Sequence, residues 1–196
     1  MELAAQRVAD RFRRTFLIRA AVCIVVAAVI TFSADHTPGF GLVAFGVFAL
    51  VVAAVVLTSA AGTTRTRSGR GIVLAQGLVW ALGGVLALVA AAGGTATAST
   101  ALVPVLGSTS VAAGALELVV GLLRSERPAP HRDRIAAGAA TVLLGLIVTV
   151  VPYDPVFVVG LFGAYAAILG VFLVIAALSV RSETNQHSEP RKVSQS

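Results

Sequence analysis

Six long apolar runs alternate with short polar segments along this 196-residue chain. They extend approximately over Phe16 to Phe32, Phe40 to Ala60, Ile72 to Ala92, Leu102 to Leu123, Ile135 to Val151 and Val156 to Val180. Crossing ~30 Å of hydrocarbon takes about 20 helical residues at ~1.5 Å each, fewer where flanking side chains reach outward. Each run therefore predicts one transmembrane helix, and the chain reads as an all-α bundle of six over residues 1–181. Residues 182–196 are polar, lack an apolar period and carry Pro190, so they read as a disordered tail.

The polar segments come in two alternating kinds. Asp35, His36, Gly93, Gly94 and Asp154 occupy uncharged or acidic ones, whereas Arg65, Arg67, Arg70, Arg124, Arg127, Arg132 and Arg134 occupy basic ones. Arg7, Arg11, Arg13 and Arg14 precede the first run, and Arg181, Arg191 and Lys192 follow the last. Counting along the runs, all 15 Lys and Arg residues gather toward one side. By the positive-inside rule that side is the cytoplasm, with both ends of the chain there. The first 33 residues mimic a signal peptide, with Thr31 and Ser33 near a small-x-small site. Cleavage there would leave five spans, so the run is read as the first helix of a plasma-membrane or inner-membrane protein.

Composition agrees, since 57% hydrophobic and 12% charged residues at a mean hydropathy of +0.92 leave too little polar surface for a water-soluble domain. The net charge of +6 sits beside apolar runs, which points to anionic lipid headgroups and away from nucleic acid. Cys23, the lone cysteine, falls inside the first run and reads as a core thiol, with no CxxC site. His36, His131 and His187 are too far apart in this topology to share a metal. His36 beside Asp35 reads as a solvated loop histidine before it reads as an acid sensor. Trp80 falls mid-span and reads as packing, whereas Tyr153 fits an outer-interface anchor. The chain holds no HExxH, GxSxG, phosphate-binding loop or pair of intramembrane aspartates. The reading is a non-enzyme without a cofactor.

Three helical hairpins can be aligned. Matching Gly46, Gly107 and Gly163 also matches Ala53, Gly114 and Gly170, while Pro38 and Pro155 each precede their glycine by eight residues. Arg14, Arg70 and Arg134 match at the start of the first helices. Because every unit has two spans, the units are parallel repeats, unlike the inverted repeats common in secondary transporters. The order Gly145, Pro152, Gly163, Gly170 and closing Arg181 resembles the HdeD-like family of small membrane proteins built from repeated hairpins. The second hairpin, ending Gly114, Ala115, Leu116, Glu117, Leu118, fits less fully, and the first fits by position. What the resemblance implies is a six-span inner-membrane protein with an envelope-stress or acid-resistance role, and no catalytic residue.

In the fourth run Gly107, Gly114 and Gly121 recur every seven residues, and Ser110, Glu117 and Arg124 follow each by three. Such a small, polar stripe lies on one helix face and predicts contact with neighbouring helices or a second copy, because small side chains let backbones approach in lipid. Gly163, Ala167 and Gly170 predict the same in the sixth run. A chain rich in Gly and Ala also scatters glycines without such a purpose. Glu117 then turns inward, about 10 Å below the basic rim set by Arg124, and needs a partner or a proton. Arg19, five residues past Arg14, lies at about 7.5 Å on the same side. The matching positions in the other repeats are Ala75 and Ala139 for Arg19, and Val56 and Leu173 for Glu117.

Three arrangements follow. Arg19 and Glu117 pair across the first and fourth helices with Gln76 beside them, since a guanidinium can hold both carboxylate oxygens. Alternatively Arg19 reaches the headgroups and Glu117 bonds locally or to Arg124. Otherwise Glu117 is protonated or binds a cation. The first two suit a non-enzymatic membrane protein associating through its glycine faces. The third suits a small transporter or channel for protons, ions or a small solute.

Overall fold

The computed structural model describes residues 2–63, 67–123 and 131–188, with side chains for 13–60, 67–123 and 132–179. Among these there are six helices and no strand: α1 Glu2–Phe32, α2 Pro38–Thr63, α3 Arg67–Ala92, α4 Thr95–Leu122, α5 His131–Val150 and α6 Pro155–Ser188. All six are long and apolar enough to cross a membrane. Even α5, the shortest at 20 residues, reaches about 30 Å.

Helix starts follow local chemistry. Thr37 caps α2, its Oγ1 accepting from Phe40 N at 3.4 Å, and Pro38 takes the first helical position, where a missing N–H removes no bond. Asp154 and Pro155 repeat the device at α6, with Asp154 Oδ1 accepting from Val156 N at 3.0 Å. Between α3 and α4 the chain reverses at Gly94, whose φ of +88° glycine alone adopts without strain.

Several helices exceed their apolar runs on the described residues, α1 among them, since it starts at Glu2, well before Phe16. α4 begins at Thr95, well before Leu102; there Thr97, Ser99 and Thr100 donate their hydroxyls back to the carbonyls of Gly93, Thr95 and Ala96, so these side chains need no partner outside the helix. α6 continues past Val180 to Ser188, so the segment read as a tail starts as helix, and 189–196 lie outside the described residues. Arg65, Arg124, Arg127, Arg191 and Lys192 also lie outside them, as do the side chains of Arg7, Arg11 and Arg181.

The helices pack unevenly. α2 lies most extensively against α3, α4 against α5, and α6 against α1; contacts inside the successive pairs α1·α2 and α5·α6 are much thinner, and α3·α4 is intermediate. α2, α4 and α6 also touch one another, and half of each of their apolar stretches is buried, against 33–39% in α1, α3 and α5. The even-numbered helices thus form the centre and the odd-numbered ones the periphery.

Glycine sets the close approaches. Gly46 and Gly84 bring α2 and α3 together so tightly that a Cβ on either would stand 3.0 Å from the other's carbonyl oxygen. Gly107 and Gly114 of α4 meet Gly145 and Gly138 of α5 in the same way, a Cβ on Gly145 standing 2.7 Å from Gly107 O. Gly163 and Gly170 of α6 seat Ile30, Ile24 and Cys23 of α1. Gly121 is buried, while Ala167 is exposed, so the sixth-helix stripe is narrower than its spacing suggests. Ala167 lies on the exposed side of α6, whereas Gly163 and Gly170 face α1.

Candidate functional site

The site begins with two helices that hardly pack on each other. Arg19 lies on α1, three residues past Phe16 and one before Ala20, both buried, so its guanidinium is carried inward with the apolar face. Glu117 lies on the face of α4 that also carries Ser110, Ala113 and Val120, all buried. Arg19 Nη1 donates to Glu117 Oε1 at 2.8 Å and Nη2 to Oε2 at 3.3 Å. Arg19 is 6% exposed and Glu117 1%. A two-point, charge-assisted pair of this kind satisfies both carboxylate oxygens and leaves no net charge in the interior.

Gln76 of α3, buried, stands beside Glu117 as a further neighbour, and its Nε2 has no partner within hydrogen-bond distance. Cys23 and Tyr165 are the next polar groups around Arg19. Arg134, at the start of α5, acts on Glu117 from farther off. Arg124 falls outside the described residues, so the alternative Glu117–Arg124 contact has no described geometry.

Beyond the pair the bundle axis turns aromatic. Phe45 and Phe48 of α2, Trp80 of α3 and Phe162 of α6 pack edge to face or tilted, with centroids 5.4 to 6.2 Å apart. All four are buried, as are Leu42, Leu102, Leu106 and Val159 around them. Trp80 Nε1, in this cluster, and Ser110 Oγ of α4 are buried without partners.

One polar contact gave little signal in sequence. Thr141 Oγ1 of α5 donates to Ala137 O at 2.8 Å and lies 2.7 Å from the Tyr165 hydroxyl of α6. A threonine and a tyrosine, each in the middle of a different span, were the available clue. Beside this contact runs an apolar cleft of about 330 Å³ between α5 and α6, lined by Ala140, Leu143, Ile147, Ala164, Ile168 and Phe172.

The loops carry less. Asp35 Oδ1 accepts from Thr37 N at 2.8 Å, which holds its carboxyl below the usual carboxylate range. His36 is half-buried beside it, and Tyr153 is exposed in the α5–α6 turn. Among the described residues no three of His, Cys, Asp or Glu gather as a metal site. The side chains of His131 and His187 are outside the described set.

Together these features define a six-helix bundle of membrane-spanning dimensions, joined internally by one buried ion pair among the described residues. No family model, curated protein or solved structure matches the chain.

Proposed function

We propose that this chain is a non-enzymatic, multi-pass protein of the plasma or inner membrane, built as three tandem parallel hairpins of HdeD-like type and serving the envelope under stress. Its termini face the cytoplasm, where its arginines meet anionic headgroups, and its small-residue faces admit a second copy. It binds no nucleic acid and needs no cofactor.

The observation that carries the structural over the transport reading is the filled axis. A conduction route needs polar groups in series, whereas the space beyond Arg19–Glu117 holds Phe45, Phe48, Trp80 and Phe162 in mutual contact. The repeat is supported by the three dominant helix contacts, each of which joins the second helix of one unit to the first helix of another.

A second reading has its own observation. Gln76 Nε2, Trp80 Nε1 and Ser110 Oγ are buried and unpartnered on α3 and α4, with Gln76 beside Glu117. Groups of that kind attract water, and a hydrated Glu117 suits proton or small-ion movement.

Purified protein in liposomes separates the two. The proposal expects pH and ion gradients to persist as in empty vesicles; dissipation that disappears in Glu117→Gln would establish transport instead. Reporters fused at each terminus test the orientation, and a periplasmic or extracellular signal from either would overturn it. Acid induction of the gene, with loss of acid survival on deletion, tests the stress role.

A further inference from the structure

The thin contact between α1 and α2 leaves a cleft of about 300 Å³ at the basic end of the bundle, lined by Arg14, Thr15 and Ile18 on α1 and by Val55, Thr58 and Ser59 on α2. A second shallow cleft shares Arg14 and Ile18 and adds Arg13, Leu17 and Ala21. The two form one amphipathic surface. Its cations are Arg13 and Arg14; Arg14, common to both clefts, is exposed and without a carboxylate partner among the described residues. One helical turn inward, about 6 Å along the axis, Ile18 and Val55 make the floor apolar.

We propose that this cleft binds one glycerophospholipid whose phosphate meets Arg14, whose acyl chain follows Ile18 and Val55, and whose headgroup donates a hydrogen bond. It rests on the membrane reading above.

The phosphate follows from charge and position. A guanidinium at the edge of an apolar span is where an anionic oxygen is both available and matched in geometry. The demand for a donor follows from Thr58. Its hydroxyl hydrogen is committed to the helix, at 2.7 Å from Ala54 O and 3.2 Å from Val55 O. Its oxygen therefore faces the cleft as an acceptor. It stands near the C-terminal end of α2, where the helix dipole is negative. An ethanolamine or glycerol headgroup can donate to that oxygen. Choline cannot.

The α5–α6 cleft of the last hairpin is lined by apolar residues instead. The α1–α2 cleft, by contrast, combines an apolar floor with a charged rim.

The test is native mass spectrometry of the full chain released from vesicles of equal phosphatidylethanolamine and phosphatidylcholine. Expected is retention of one phosphatidylethanolamine in preference to phosphatidylcholine. Arg14→Ala should lower total retention about fivefold, the effect of one cation near the surface, whereas Arg132→Ala, an exposed arginine of α5 away from the cleft, should not. Thr58→Val should erase the headgroup preference and keep the phosphate-dependent retention. Equal retention of the two lipids by the native protein overturns the proposal. So does an equal loss in the two arginine variants, which indicates diffuse attraction. Displacement of the lipid by millimolar inorganic phosphate also overturns it, because the ligand is then the free anion. Flotation with vesicles after alkaline washing reads insertion independently: failure there removes the membrane reading, whereas insertion without headgroup preference removes only this site.

Discussion

Arg19 of α1 and Glu117 of α4 are joined at two points, 2.8 and 3.3 Å, although α1 and α4 are not among the helix pairs that pack extensively on each other. The pair is therefore a bridge made by side chains across the bundle. It fastens a peripheral helix to a central one at a depth where water does not compete.

Removing one partner strands the other. Arg19→Ala or Glu117→Ala should destabilise the folded protein by about 3–5 kcal/mol, the cost of leaving a buried charge uncompensated. Exchanging the two, Arg19→Glu with Glu117→Arg, should recover part of that loss. Unfolding in mild detergent, together with membrane accumulation of a fluorescent fusion, measures both. A double exchange no better than the worse single change would show that the residues act separately.

Number and type of helices were legible because length and apolarity alone decide whether a segment spans lipid. The register of the ion pair was partly legible, since Arg14 and Arg124 give the basic rim and helical rise gives the depths of Arg19 and Glu117. Helix ends were less so. The polar stretch from Thr95 to Thr100 has no apolar period, yet it is helical, its hydroxyls donating to carbonyls of their own helix. Which helices adjoin was not legible at all: the glycine stripe of α4 announces a close neighbour, but only the folded arrangement identifies Gly138 and Gly145 of α5 as that neighbour. The Thr141–Tyr165 contact was hidden for the same reason, since it joins two otherwise apolar spans through one hydroxyl each.

Glycines of equal appearance in the sequence should respond differently to substitution. A Cβ at Gly145 would stand 2.7 Å from Gly107 O and 2.8 Å from Val111 N, both backbone atoms that cannot move alone. A Cβ at Gly160 meets nothing within 4 Å. Gly145→Ala should therefore lower stability by about 1–3 kcal/mol through overpacking, whereas Gly160→Ala should be neutral or gain about 0.5–1 kcal/mol from reduced chain freedom. Thermal unfolding in detergent gives the order. Equal effects at the two sites would contradict the α4–α5 contact.

Acid should loosen the turn before α2. Asp35 has its carboxyl held below the usual range, mainly by the Thr37 N–H it accepts, with the Thr37 side chain helping and burial opposing. A folded-state value below the unfolded one means the contribution is complete above the ordinary carboxylate range and is lost as pH falls through the lowered value. Exchange of the Thr37 amide, followed by NMR across that acidic window, should accelerate as the proton binds. In Asp35→Asn the amide oxygen still accepts, so the turn should persist and the pH dependence should vanish. An acceleration that survives in Asp35→Asn would assign the titration to another group.

The Thr141–Tyr165 contact should break asymmetrically, because its two hydroxyls are not equivalent. Thr141 spends its hydrogen on Ala137 O, so Tyr165 is the donor of the 2.7 Å bond between them. Tyr165→Phe removes that donor and leaves Thr141 still bonded to its own helix, a loss of about 0.5–1.5 kcal/mol. Thr141→Val, close to the same shape, leaves the Tyr165 hydroxyl buried without an acceptor, a loss of about 1–3 kcal/mol. The double variant should resemble Tyr165→Phe, since no polar group is then stranded. Unfolding in detergent for the three variants measures the order. If Thr141→Val proves the milder of the two single changes, the tyrosine hydroxyl has another acceptor, and the apolar cleft beside it must admit water.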